Sequence, residues 1–345
     1  MPAAPPAVAL VLGDPAGIGP ELVAKLLARS DLMGAATAVV IGDRWVLEDG
    51  QHVAGIRTAV REIASTAEAR ECAAPGVPLF LPTETARRED VPRATVTAAG
   101  GASVLRALAA GLDAARAGHV DALCFAPLNK LAMKRAGLRF ADELHFFADY
   151  LGVRGYVGEI NVLAPGALGP GELWTTRATS HVPLRDVAAA LTPDRITDAA
   201  RLLHRSLRAA GLAQPRIAVA ALNPHAGEGG TCGREEIDVI APAMREAAAE
   251  GLVMDGPFSA DTVFLRARGG RYDGVLTMYH DQGQIALKLI GFERGVTVQG
   301  GLPFPVTTPA HGTAFDIAGQ NKAGVEALAR AFTIACRMAG ADGSL

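Results

Sequence analysis

Cysteine is scarce: the 345 residues hold four, Cys72, Cys124, Cys232 and Cys336, each alone and none in a CxxC spacing. Such a scatter fits neither a disulfide framework nor a thiolate zinc site, and a reduced, cytoplasmic setting is expected. Positive charge has no excess either, with 33 Lys plus Arg against 36 Asp plus Glu and a formal net charge of −3. A general grip on a phosphate polymer is excluded on that balance, so no nucleic-acid partner is expected. No apolar run approaches the roughly 18 residues that span a bilayer, and Met1–Pro6 lacks the basic start of an export signal. No membrane partner is expected. Also missing are the common dinucleotide fingerprint GxGxxG and the Walker lysine motif.

What is present is ample apolar content, 50% of the residues, over a length that suits two lobes rather than one. Ala7–Leu12 is a continuous apolar run closed by Gly13-Asp14-Pro15, after which Ile18, Leu22, Leu26 and Leu27 recur at helical spacing. The same order of strand then polar loop returns at Ala36–Ile41, Val120–Phe125, Ile217–Leu222 and Gly274–Met278. Strands that are apolar throughout point to a largely parallel α/β sheet, with Ala102–Ala117 and Thr197–Ala210 as crossover helices. The Gly- and Pro-rich stretch Ala164–Thr179 breaks the rhythm and marks a different lobe. The expected division is a discontinuous first α/β domain, 1–130 plus 290–345, and a second, 131–289.

Ligands of open α/β sheets bind beyond the carboxyl ends of the strands, and the chemically loaded loops fall there. Gly13–Glu21 offers three glycines and a helix start to an anion, although a tight turn explains it equally well; Asp14 and Glu21 are what the turn leaves over. Three histidines sit in strand-end loops: Ser180-His181-Val182-Pro183, Asn223-Pro224-His225 and Met278-Tyr279-His280-Asp281. Neutral imidazoles from three loops suit a catalytic divalent metal that keeps open positions, with Asp281 and Glu228 near for proton transfer. A structural role remains the commoner explanation for any one histidine. His311-Gly312-Thr313 reads as one more functional loop, whereas Asn129, Lys130, Asp261 and Lys288 are uninformative singly.

In order, GDPAGIGPE, APLNK, LNPHAGEGG, GPFSADTVF, MYHDQGQ with a lysine shortly after, GLPF and HGTAFDIAG resemble the 4-hydroxythreonine-4-phosphate dehydrogenase (PdxA-type) family over nearly the whole chain. The resemblance implies two α/β/α domains with an interdomain cleft, similar to isocitrate and isopropylmalate dehydrogenases. It implies an NAD(P)-dependent oxidoreductase acting on a small molecule, and a homodimer whose active site is shared between subunits, the second domain carrying the interface. The family's metal ligands fall on His181, His225 and His280, the third ligand coming from the other subunit. Zn2+ is the first expectation for the ion, with Co2+, Ni2+, Mn2+ or Mg2+ as alternatives. Lys288, Asp261 and Asp281 take the catalytic positions; the cofactor contacts are not assigned.

Four positions where the family recognises its phosphorylated substrate depart: Glu143 and Leu144 replace His and Thr, Thr297 replaces Asn, and Val306 replaces Arg. Losing the Arg removes a bidentate phosphate partner, and Glu143 would repel a dianion if it faced the pocket. Together with Lys288 these four are the expected substrate contacts. The expectation is oxidation of a secondary alcohol β to a carboxylate followed by decarboxylation, on an unphosphorylated substrate such as a terephthalate-type cis-dihydrodiol, in aromatic degradation. The alternative keeps a phosphorylated substrate, 4-hydroxythreonine 4-phosphate or a four-carbon sugar-acid phosphate, with His145 beside Arg139 or Arg294 rebuilding the anion site.

Overall fold

A computed structural model of the chain describes residues 5–166, 171–291 and 294–340. Its strands are β1 (Ala7–Val11), β2 (Thr37–Gly42), β3 (Arg61–Glu62), β4 (Leu79–Pro82), β5 (Ala122–Phe125), β6 (Gly158–Leu163), β7 (Leu173–Arg177), β8 (Arg216–Ala220), β9 (Val253–Phe258), β10 (Gly274–Thr277), β11 (Val296–Gly300) and β12 (Val306–Pro309). Two compact units divide them, residues 1–154 with 302–343, and residues 155–301.

The first unit has the strand order β3-β4-β2-β1-β5-β12 with every pairing parallel. β1 is buried at all five positions, which is why its sequence is apolar without alternation. The chain leaves β1 for β2 on one side and comes back as β5 on the other, so a crevice opens at the carboxyl ends of β1 and β5. Helix Ala98–Arg116 starts where the Thr97 hydroxyl accepts the Gly100 amide at 3.0 Å. The unit extends past residue 130 because helix Glu143–Leu151 sets Phe147, fully buried, edge-on against Phe125 of β5, with ring centroids 5.8 Å apart.

The second unit has the order β11-β6-β7-β10-β8-β9. β7, β10, β8 and β9 are parallel, whereas β6 runs antiparallel to both β11 and β7. Helix Pro193–Ala209 starts at a Thr192 cap with proline in its first turn and buries Ile196, Ala199, Ala200, Leu203 and Leu207, the spacing of one helix face. The strand after residue 290, β11, belongs here because it pairs with β6 over five residues.

Candidate active site

In the first unit three of the motif loops meet at the carboxyl ends of the strands. The Asp14 amide donates to the Pro127 carbonyl at 2.9 Å, closing the loops after β1 and β5 together. The Ile18 amide donates to the Thr313 carbonyl at 3.1 Å, which brings the His311-Gly312-Thr313 loop onto the glycine-rich turn. Gly17 permits that approach, since a Cβ there would stand 2.8 Å from Thr313. Asn129 is accounted for as the cap of helix Lys130–Arg135, its Oδ1 accepting from Ala132 at 3.0 Å. Glu21, also buried, accepts from Lys25 and from the Ala323 amide and so ties its helix to the chain's last loop.

Asp14 is the unusual group there. Its Oδ1 accepts the Ala16 amide at 2.9 Å and its Oδ2 has no partner among the described residues. Burial pushes the carboxyl up to about 6, a shift that the Ala16 hydrogen bond only partly offsets.

The three histidines all lie in the second unit, beyond the carboxyl ends of three neighbouring parallel strands: His181 after β7, His280 after β10 and His225 after β8. The structure brings two of them together. The His181 and His280 ring centroids are 5.5 Å apart. Two imidazoles bound to one ion at about 2.0–2.1 Å in tetrahedral geometry have centroids at about that separation. His280 Nδ1 lies 2.7 Å from the Asp281 carboxylate, which leaves Nε2 to face a ligand. His225 is not grouped with them: among the described residues no cluster of three or more His, Cys, Asp or Glu could hold a metal.

The His225 loop has an unusual backbone. His225, Ala226, Gly227, Glu228 and Gly229 are consecutively left-handed, with φ from 43° to 76°. Glu236, buried, anchors this coil. Its Oε1 accepts the Leu222 and Asn223 amides at 2.8 and 2.7 Å, and its Oε2 accepts from the Asn223 side chain at 3.0 Å. Gly227 is required beside it, because a Cβ would meet Glu236 Oε2 at 2.6 Å.

Asp261 is exposed in the first turn of helix Ala260–Ala267. Asp281 and Lys288 open and close helix His280–Gly291; seven residues apart, they share one of its faces. The substrate positions read from sequence fare differently. Val306 is fully buried in β12 beside Leu123, and Leu144 is buried with Phe147 in the first turn of its helix, so both side chains pack in the core and the expected substrate contact by either is corrected. Thr297, also buried, accepts from the Asn161 side chain at 3.1 Å. Glu143 is buried and paired with Lys130 at 3.2 Å, so its charge is already compensated.

Residues 34–335 match the family model "Pyridoxal phosphate biosynthetic protein PdxA". The chain belongs to the PdxA family. It is 49% identical to the "Putative 4-hydroxythreonine-4-phosphate dehydrogenase 2" of Pseudomonas aeruginosa, over 96% of this chain and 97% of that protein. It is 38% identical to the "Putative D-threonate 4-phosphate dehydrogenase" of Bradyrhizobium diazoefficiens, over 96% of both. Among solved structures, the 4-hydroxythreonine-4-phosphate dehydrogenase of Klebsiella pneumoniae superposes with a TM-score of 0.83 at 36% identity, covering 98% of this chain and 99% of that one. The protein is accordingly a dehydrogenase acting on a CH–OH group. A β-decarboxylating dehydrogenase of Thermococcus kodakarensis shares the fold alone, with a TM-score of 0.51 at 15% identity over 98% of this chain and 85% of that one.

The terephthalate 1,2-cis-dihydrodiol dehydrogenase of Burkholderia xenovorans is more distant, at 29% identity and a TM-score of 0.67 over 97% and 98% of the two chains. The expected dihydrodiol substrate and role in aromatic degradation are therefore not favoured. Among the described residues no helix is long and apolar enough to cross a membrane.

Further polar residues stand around these loops, Gln282 and Gln284 inside the MYHDQGQ motif and Arg177 and Asn161 outside the quoted motifs. Gln282 bridges the ends of β10 and β8, accepting the Met278 amide and donating to the Ala221 carbonyl, each at 2.7 Å. Arg177, which is buried, and the half-buried Asn161 and Gln284 form a hydrogen-bonded polar group that reaches Ser180, the neighbour of His181. For Asn161 the signal in the sequence is the alternation of polar and apolar residues in Gly158–Leu163, a pattern that marks one polar sheet face; Leu173–Arg177 does not alternate and gives no such signal for Arg177.

Proposed function

We propose that the protein is an NAD(P)-linked, divalent-metal-dependent dehydrogenase that oxidises the secondary hydroxyl β to the carboxylate of a phosphorylated four-carbon acid, with loss of that carboxylate as CO2. The observation that carries the reading is the His181–His280 pair, spaced for one ion at the ends of β7 and β10 in a chain of this family. The donor set fits Zn2+, Co2+, Ni2+ or Mn2+: two imidazoles, one oriented by a carboxylate. When bound, the ion supplies Lewis-acid polarisation of the substrate oxygens, and the nicotinamide accepts the hydride.

The remaining work falls to the chain. Asp281 keeps His280 in the tautomer whose Nε2 is a lone-pair donor. Asp261 accepts the hydroxyl proton, and Lys288 holds the carboxyl end and returns a proton to the carbon that loses CO2. His225 of the partner subunit completes the ligand set in a homodimer. That assignment is supported by the absence, among the described residues, of any cluster of three or more His, Cys, Asp or Glu that could hold a metal within one chain.

Phosphate is preferred because the relatives named for phosphorylated substrates are the more similar ones, and because Lys130 neutralises the one carboxylate that argued against it. The test is NAD(P)H formation by metal-loaded protein with 4-hydroxythreonine 4-phosphate, D-threonate 4-phosphate and a terephthalate cis-dihydrodiol in parallel. Turnover of either phosphate is expected, with activity lost in H181A and H280A. Turnover of the dihydrodiol alone would return the substrate to the unphosphorylated class, and full activity in H181A would remove the metal role of the pair.

A further inference from the structure

The strand pairings of the second unit place Asn161 opposite both Thr175 and Thr297. Alternation then sets Glu159, Asn161, Thr175, Arg177 and Thr297 on one face of β11, β6 and β7, while Ile160, Val162, Trp174 and Val298 take the other. The first face is polar yet largely closed to water, with the Arg177 side chain only 6% exposed. A guanidinium so placed is costly unless its donors are used. Here they are: Nη2 pairs with the Glu159 carboxylate, Nη1 reaches Asn161 Oδ1 at 3.4 Å, and Nε donates to Ser180 Oγ at 2.9 Å.

The two ends of this network are what give it meaning. Ser180 immediately precedes His181, whose φ of 55° is a left-handed conformation that costs a non-glycine residue on the order of 1 kcal/mol and persists only when its surroundings hold it. At the other end, Asn161 Oδ1 also accepts from Gln284 Nε2 at 2.6 Å, and Gln284 stands four residues after His280, on the same helical face. A continuous path of hydrogen bonds, Ser180–Arg177–Asn161–Gln284, thus joins the turn that carries His181 to the helix that carries His280. Packing alone has no need of polar groups here, since the opposite face of the same strands is closed by apolar side chains.

We propose that Arg177 is a positioning residue that, through Ser180 on one side and Asn161 and Gln284 on the other, fixes the separation and orientation of His181 and His280. The inference rests on the reading of those two histidines as ligands of one divalent ion. It adds the group that presets their geometry before the ion arrives, so that binding does not have to order the His181 turn.

The experiment uses the full-length protein, with assembly checked by sedimentation and folding by far-UV circular dichroism. Zn2+ affinity is measured by competition with a chromophoric chelator, and ligand geometry by the visible bands of Co2+. R177M leaves the half-buried Glu159 without its partner, so the double variant R177M/E159Q, which removes both charges, guards against simple failure to fold. The expected result is Zn2+ binding about 10–100-fold weaker in R177M/E159Q with altered Co2+ band intensities, a smaller loss in Q284L, and partial recovery in R177K. Folded variants that bind Zn2+ with wild-type affinity and give the wild-type Co2+ spectrum would overturn the proposal, even if their melting temperatures fell, because a purely structural network predicts that outcome. The controls H181A and H280A separate the underlying reading: if either binds Zn2+ as wild type does, the metal assignment fails first and the proposal with it.

Discussion

At Asp14 a single carboxyl group makes the protein's stability depend on pH. The carboxyl is pushed up to about 6 in the folded chain against an ordinary 3.8, with burial as the main cause. The folded state therefore holds a proton that the unfolded state has released between about pH 4 and 6. Stability through this group is fully retained below the unfolded value and is lost as pH rises through the folded one. The ceiling on that loss at pH 7–8 is on the order of 2–3 kcal/mol. Asn cannot ionise, so the difference in melting temperature between D14N and wild type should move in favour of D14N from pH 4 to pH 7 and then level off. Thermal melts of both proteins across that range check it, and a difference that stays constant with pH would show that Asp14 is not the titrating group. Substrate recognition at this scale is subtler. Glu143 looked like an obstacle to a phosphorylated ligand from its charge alone, and only the Lys130 partner at 3.2 Å removes the objection, a pairing across twelve intervening residues that no local pattern announces.

The loop that carries His225 is held as an element rather than by any contact of His225 itself. Five consecutive left-handed residues cannot persist on their own, and Glu236, at the start of the π-helical turn Glu236–Ile240, accepts two backbone amides at their entrance. Removing it in E236A strands two buried amides, a loss of about 2–4 kcal/mol. Turnover should fall with it, whereas E236Q, which keeps one acceptor oxygen, should lie between the two. G227A should destabilise by about 1–3 kcal/mol through its positive φ and the Glu236 oxygen in its way. Chemical denaturation with turnover measured on the same preparations checks the series; wild-type activity in a destabilised E236A would dissociate the loop from the site.

The elements that sequence disclosed are those whose burial is uniform: β1, β2, β5, β8 and β10 each fall within a residue or two of an apolar run. β6 and β11 escaped because they alternate. Glu159, Asn161, Thr297 and Gln299 face a polar interior, so neither strand reads as buried. The histidines could be read as candidates because their strand-end loops show polar and glycine- or proline-flanked chemistry locally, whereas the partners of Arg177 and Glu236 lie on other elements and no motif announces them. The division into units moved for the same reason, since the Phe125–Phe147 contact and the β6–β11 pairing are both long-range.

For the whole molecule, the proposed completion of the ligand set from a partner subunit predicts that catalysis requires a second copy. The second unit exposes apolar side chains around the motif elements: Leu184 just after His181, Leu265 after Asp261, and Ile285 and Leu289 one turn apart on the helix that begins at His280, with Leu289 83% exposed. Apolar groups of this size suit burial against another copy of the chain. If His225 of the partner subunit completes each site, H181A and H225A should each be inactive alone, because every site in either homodimer lacks one ligand. Unfolding and refolding an equal mixture then yields half heterodimers, each with one intact site of two. Activity should return to about a quarter of wild type. Equal mixing of H181A with H280A should restore nothing, since those two ligands come from the same chain. Recovery in the second mixture, with none in the first, would instead assign His280 to the partner and leave His181 with His225 in one chain, contrary to the 5.5 Å pairing.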